Sequence, residues 1–247
     1  VLAVAFLLAS APGDTAPSDG GVAMMVTATD VADRLAEVRA RIAAAGRAPD
    51  DVVVVAVTKG FGIDAVEAAN AAGLVDVGEN YAQELAAKVD EAKTDAGRRW
   101  HFLGRVQRNK VRSIAAAVHL WQGVDRVAAG EEIARRAPGA KVLVQVRVAG
   151  DDTRNGCVPD DVPELVERLD TLGLDVRGLM AVGPAGPPEL ARPGFRKVSA
   201  LADRLGLVER SMGMTDDLGV AVEEGSTMVR VGRGLFGARP GAPKLRR

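Results

Sequence analysis

From Asp30 onward the chain alternates between two kinds of hydrophobic spacing. Thr29 and Asp30 can cap a helix that sets Val31, Leu35, Val38 and Ile42 on one face and ends near Gly46. Eight short apolar runs follow: Val52–Val57, Leu74–Val77, Trp100–Leu103, Leu120–Val124, Val142–Val148, Val176–Ala181, Leu207–Ser211 and Met228–Val231. The first and fifth are β-branched and nearly unbroken, as strands buried on both faces should be. Between the runs, helical spacing predicts helices over Ile63–Ala72, Ala82–Asp95, Lys110–Ala117, Val127–Arg136, Pro163–Leu172, Pro193–Gly206 and Thr215–Glu224. No composition break interrupts the alternation after residue 25. Eight βα units in about 250 residues is the arithmetic of an α/β fold closed into a (β/α)8 barrel, the TIM barrel. A doubly wound open sheet has the same strand count and is the alternative.

Residues 1–25 break this pattern. Val1–Ala9 is a short apolar run, followed by small and polar residues to Gly21. It resembles the centre of an export signal but lacks a basic start, and the first methionines are Met24 and Met25. We read it as a disordered extension upstream of a true start, or alternatively as a trimmed signal. The barrel is expected over residues 26–240 and a tail over 241–247.

Composition narrows the function classes. The chain has 247 residues, 47% hydrophobic and 26% charged, which suits a globular core needing no staples. One Cys rules out a disulfide framework, and two His make a histidine-built metal centre an unsuitable reading. With 32 basic against 33 acidic residues, nucleic acid is not indicated as the main partner, which leaves room only for a local basic groove. No apolar run is long enough to span a bilayer.

A barrel places its chemistry at the C-terminal ends of the strands. The first run ends Ala56-Val57-Thr58-Lys59-Gly60, which sets a partly desolvated lysine at the rim. Desolvation favours the neutral amine, the form that attacks an aldehyde. The ordinary alternative is a lysine snorkelling from a strand end. The seventh run leads into Ser211-Met212-Gly213-Met214-Thr215 and the eighth into Arg230-Val231-Gly232-Arg233-Gly234. Both carry glycines where a backbone approaches something closely, in the two loops that most often hold a phosphate in barrels. Gly232, Gly234 and Gly237 also match a dinucleotide fingerprint, but the βαβ unit it needs does not follow. Arg230 alternates with Val229 and Val231 and so points to the opposite side, into the mouth, unless it pairs with a carboxylate between strand and helix.

These segments, together with Val77-Gly78-Glu79-Asn80-Tyr81, Trp100-His101-Phe102-Leu103-Gly104, Gln107 with Asn109-Lys110, and Glu223-Glu224-Gly225-Ser226-Thr227, resemble the pyridoxal-phosphate homeostasis proteins of the proline-synthase-co-transcribed type. The resemblance runs from about Val31 to Arg239. It implies a single barrel of the alanine-racemase N-terminal type, holding pyridoxal 5′-phosphate by a Schiff base to Lys59. It further implies that Arg230 faces the pyridine nitrogen, that Ser211, Gly213 and Gly232 surround the phosphate, and that Asn80 faces the mouth. Glu79 and Tyr81 either support that loop or touch the ligand. A cytoplasmic monomer that meets pyridoxal-phosphate-dependent apoenzymes transiently completes the expectation, with no catalytic residue and no metal.

The chain departs from the family pattern at three places. Arg233 stands where a threonine is usual, and Arg154 where a second aldehyde-reactive lysine is often found. Gly183–Pro193 is rich in Pro and Gly and looks shorter or looser, which bears on any lid. Cys157 reads as incidental. Three functions compete: a non-catalytic carrier or buffer of the cofactor, a weak amino-acid racemase, and a barrel that has lost its cofactor. A two-base racemase of this fold brings a second acid/base tyrosine from an added domain, and the only tyrosine here is Tyr81. Intact Lys59 and Arg230 argue against the third.

Overall fold

The computed structural model describes residues 26–92, 97–148 and 155–239. Residues 1–25, Arg154 and the tail 241–247 lie outside them. Helix α1 (Ala28–Ala44) is capped by Thr27, two residues before the expected cap. Thr27 Oγ1 accepts from the Asp30 N–H at 3.1 Å while the Asp30 carboxylate accepts from the Thr27 N–H at 3.2 Å, so Asp30 closes a capping box from inside the helix. Val31, Leu35, Val38 and Ile42 are all buried, as their spacing required.

The remaining order is β1 (Val53–Val57), α2 (Ile63–Ala71), β2 (Asp76–Glu79), α3 (Ala82–Glu91), β3 (Arg99–Phe102), α4 (Arg108–Ile114), β4 (Val118–Val124), α5 (Val127–Arg136) and β5 (Lys141–Val146). Then come α6 (Val162–Thr171), β6 (Asp175–Ala181), α7 (Arg192–Arg204), β7 (Glu209–Ser211), α8 (Leu218–Glu223), β8 (Met228–Val231) and the one-turn α9 (Arg233–Phe236). All neighbouring strands are parallel, and β8 pairs with β1 in the register Val53↔Met228 to Ala56↔Val231. That last pairing closes the barrel and excludes the open sheet.

Two elements fall away from the apolar pattern for physical reasons. Strand β2 lies two residues later than the run Leu74–Val77, because its last residues are Gly78 and Glu79. A Cβ on Gly78 would sit 2.7 Å from Leu103 and 3.0 Å from Val55, so a strand position facing the barrel interior has to be glycine. Glu79 is tolerated because a buried lysine compensates it. Strand β7 is shorter than expected, and Leu207 lies outside it, packed against the outer core.

Side chains alternate between two cores. Val54 and Ala56 of β1 and Val229 and Val231 of β8 face the helices, with Leu35, Ala65 and Leu218. Val55, Leu120, Leu143, Met180 and Met228 fill the barrel interior. Besides these, the interior holds buried polar groups: Asp76, His101, Gln122, Ser211 and Arg230. Among the described residues no helix is long and apolar enough to cross a membrane.

The segment Gly183–Pro193, expected to be loose, is anchored at both ends. Gly183 packs against Asp217, Ala191 and Phe195, and a short turn over Pro188–Ala191 buries Ala191. Arg192 ties it down through Glu189, Glu223 and Glu224.

Candidate functional site

Lys59 follows β1 in the barrel mouth, and the strand alternation that sends Val55 inward sends Lys59 inward as well. The side chain is half-buried, and its pKa is lowered, first by burial and then by the guanidinium of Arg239; Arg230 adds to this while Glu79 and Glu84 oppose it. The neutral amine is therefore favoured relative to an ordinary lysine.

The turn that carries Lys59 is pinned on both sides. Lys88 of α3, itself buried, donates to the Thr58 carbonyl at 2.8 Å and to Glu79 Oε1 at 2.5 Å. Thr58 Oγ1 donates to the same carboxylate oxygen at 2.6 Å, and the Gly60 N–H donates to Glu84 Oε2 at 2.9 Å. Burial raises the Glu79 pKa against the pull of Lys88 and Thr58, and Glu79 Oε2 has no partner. Of the two readings open for Glu79, the structure favours support of the turn. Tyr81 begins α3 with an exposed ring.

Arg230 is buried in the interior, and its guanidinium is held by backbone and hydroxyl alone. Nη1 donates to the Ser211 carbonyl at 2.6 Å and to Ser211 Oγ at 2.7 Å, and Nη2 donates to the Ala181 carbonyl at 2.8 Å. No carboxylate among the described residues forms an ion pair with it. Burial lowers its pKa to about 10, leaving a cation at neutral pH. The alternative of a strand–helix ion pair is thereby set aside.

Ser211 is fully buried, and its hydroxyl is already committed. It accepts from Arg230 and donates to Gln122 Oε1 at 2.7 Å. Gln122 Nε2 donates to His101 Nδ1 at 2.8 Å, and His101 Nε2 donates to Asp76 Oδ1 at 2.8 Å. Burial would raise the Asp76 carboxyl, but hydrogen bonds from His101 and Arg99 outweigh it and hold the pKa below the usual range. A continuous polar column thus crosses the barrel interior from Asp76 to Arg230. The Ser211 side chain, expected beside a phosphate, braces Arg230 in this structure.

The ends of β7 and β8 meet beside the mouth. Gly213 is buried with φ +89°, its carbonyl accepts from the Arg230 N–H at 3.0 Å, and a Cβ there would lie 2.5 Å from Ala221 Cβ. Gly232 precedes α9, and the N–H groups of Arg233 and Gly234 at the start of that turn have no backbone acceptor within it. One of them, on Gly234, donates to Thr215 Oγ1 at 3.1 Å. Arg233 turns outward to Asp216 on the surface, so the hydroxyl at this turn comes from Thr215.

Lys59, Ser211, Gly213, Arg230 and Gly232 therefore gather in one sector. Asn80 follows Glu79 in the loop between β2 and α3 and lines a cavity with Gln107, Lys110 and Trp121.

The profile of the alanine racemase N-terminal domain family matches residues 31–240. A pyridoxal phosphate homeostasis protein of Pseudomonas aeruginosa is 42% identical over 226 residues, covering 86% of this chain and 98% of that one. The chain belongs to the pyridoxal phosphate homeostasis protein family. A member from Deinococcus radiodurans is 40% identical over 209 residues, 82% of this chain and 97% of its own. Among solved structures, PipY of Synechococcus elongatus with PLP bound is 33% identical, covers 84% of this chain and 100% of that chain, and superposes with a TM-score of 0.73. An alanine racemase of Corynebacterium glutamicum, at 15% identity and a TM-score of 0.67, shares the fold.

For this pyridoxal phosphate homeostasis family member, sequence reading missed Thr58, Lys88, Gln122, Thr215 and Arg239. Thr58 and Thr215 adjoin residues that were singled out and were within reach. Gln122 is 89 positions from Ser211, and no local spacing announces that contact.

Proposed function

We propose that the chain binds pyridoxal 5′-phosphate in the barrel mouth, with Lys59 as the amine that captures its aldehyde, and that it serves as a non-catalytic carrier or buffer of the cofactor. The observation that carries the reading is a buried Arg230 that forms no ion pair among the described residues, beside a desolvated lysine. An electrophilic aldehyde on a ring with an acceptor nitrogen suits both groups. When bound, the cofactor supplies that aldehyde, a ring nitrogen that accepts a hydrogen bond, and a phosphate dianion. Arg230 would donate to the ring nitrogen. Gly213, Gly232 and the free first-turn N–H of α9 would hold the phosphate beside Thr215, and Asn80 would close the mouth from the β2 side.

The same arginine argues against turnover. Chemistry at an amino acid's α-carbon draws on a protonated pyridine nitrogen, which a carboxylate partner favours and a guanidinium disfavours. Arg230 cannot act as the acceptor, because a guanidinium carries donors only, as its three contacts here show. The residue-26–240 barrel, the cytoplasmic location, the monomeric state and transient contact with apoenzymes belong to the same proposal.

Borohydride reduction of the cofactor-loaded protein, followed by peptide mapping, tests it. The pyridoxyl adduct is expected on Lys59, with turnover of L-alanine near background. A yellow protein with unmodified Lys59 would refute the site assignment, and robust racemisation would refute the carrier assignment.

A further inference from the structure

On the outside of the barrel, α4 and α5 lie side by side and leave an open groove of about 380 Å³ between them. Arg108, Asn109 and Arg112 of α4 line one wall, and Glu132, Arg135 and Arg136 of α5 line the other. The Glu132 carboxylate is buried. It takes two hydrogen bonds from Arg135, at 2.5 and 3.0 Å, and one from Arg136, at 3.1 Å. That pairing uses the Nε and Nη2 edge of Arg135 and leaves its Nη1 edge open, on a side chain 57% exposed. Across the groove, Arg108 and Arg112 are exposed and form no hydrogen bond or ion pair among the described residues.

Four guanidiniums thus meet one carboxylate, in a chain whose net charge is −1. Glu132 answers one of the charges, and the rest repel one another across the groove. An anionic partner removes that repulsion, and the planar guanidinium fork pairs bidentately with a carboxylate or a phosphate. Arg108 and Arg112 stand one turn apart, about 6 Å along α4, close to the roughly 6.6 Å between alternate side chains of an extended strand. We propose that this groove docks an acidic segment of a protein partner, extended and carrying carboxylates at alternate residues. Single-stranded nucleic acid offers a similar charge, but grooves that bind it add aromatic rings on which the bases stack. No aromatic residue lines this one. Neither Lys59 nor Arg230 borders the groove, so the inference stands apart from the carrier reading.

Fluorescence anisotropy of the full chain with a labelled peptide of alternating glutamate and glycine tests it, beside the glutamine counterpart of that peptide and a labelled oligothymidylate. The glutamate peptide is expected to bind, more weakly as salt rises, and the other two to bind at least about tenfold more weakly. Replacing both Arg108→Gln and Arg112→Gln costs about tenfold or more in affinity for the glutamate peptide. A control with Arg39→Gln and Arg168→Gln removes the same charge from exposed positions on α1 and α6, and changes that affinity less than about twofold. None of the four arginines forms a hydrogen bond or ion pair among the described residues, so both double variants keep the fold. No binding of the glutamate peptide at low salt, equal losses in the two double variants, or an oligonucleotide that binds as tightly as the peptide would overturn the proposal.

Discussion

Ser211→Ala separates two roles for one hydroxyl. If Ser211 served a phosphate alone, the cofactor-free protein would not feel its loss. The structure gives the hydroxyl to Gln122 and Arg230, both buried, so the loss falls on the cofactor-free protein itself. Removing it strands Gln122 Oε1 without a donor, which costs about 1–3 kcal/mol. The Arg230 contact is charge-assisted, but Nη1 keeps the Ser211 carbonyl at 2.6 Å, so little more than about 1 kcal/mol is lost there. The expected destabilisation is about 2–4 kcal/mol. Gln122→Leu strips the same link from its other end and also abandons His101 Nδ1, at a similar cost. In the double variant the shared hydrogen bond is removed only once. Urea unfolding of the four cofactor-free proteins should therefore show a coupling of about 1–2 kcal/mol, with the double variant more stable than the sum of the singles predicts. Additivity within about 0.5 kcal/mol, or a Ser211→Ala protein as stable as the parent, would refute the continuous column.

Gly213→Ala places a side chain at φ +89° and 2.5 Å from Ala221, so a loss of about 2–4 kcal/mol is expected in thermal or urea unfolding; a variant within about 0.5 kcal/mol of the parent would show that the turn relaxes freely. Lys88→Met leaves Glu79 buried without its counter-charge and should cost about 3–5 kcal/mol near neutral pH. Because burial already raises the Glu79 pKa and Lys88 opposes that rise, the variant is relatively most stable below the ordinary glutamate range and loses stability as pH rises through the elevated pKa; equal losses at pH 5 and pH 8 would contradict it. Arg239→Ala removes a positive neighbour from Lys59, so the lysine pKa moves back up and a smaller fraction is neutral at pH 7. The pH profile of borohydride-trapped pyridoxal phosphate should shift to higher pH, and a shift to lower pH would reverse the assigned sign.

The fold was legible wherever burial was carried by apolar residues alone. The unbroken runs at β1 and β5 and the apolar face of α1 are examples, since hydrophobic spacing is a local record of which side faces a core. It failed at β2, whose last residue is a glutamate made acceptable by Lys88 nine positions on. In the site, alternation with Val229 and Val231 was enough to send Arg230 inward, and the strand end was enough to locate Lys59. What held those two side chains was not visible. The acceptors for Arg230 are main-chain carbonyls on two other strands, which carry no residue-type signal, and the partners of Ser211 are distant in sequence. Arg239 reaches the mouth only because the chain turns back past Gly60 after α9.

Those carbonyl acceptors have an evolutionary consequence. An arginine anchored by a carboxylate can be released by one codon change in its partner. The Ala181 and Ser211 carbonyls belong to the backbone and survive every substitution at their own positions. The two acceptors come from neighbouring strands of the closed barrel, so the socket for a cation is inherited with the architecture. Descendants of this chain can lose the charge only at residue 230 itself, and a neutral replacement there leaves two interior carbonyls unanswered. The positive charge held in this socket is thus unusually resistant to drift.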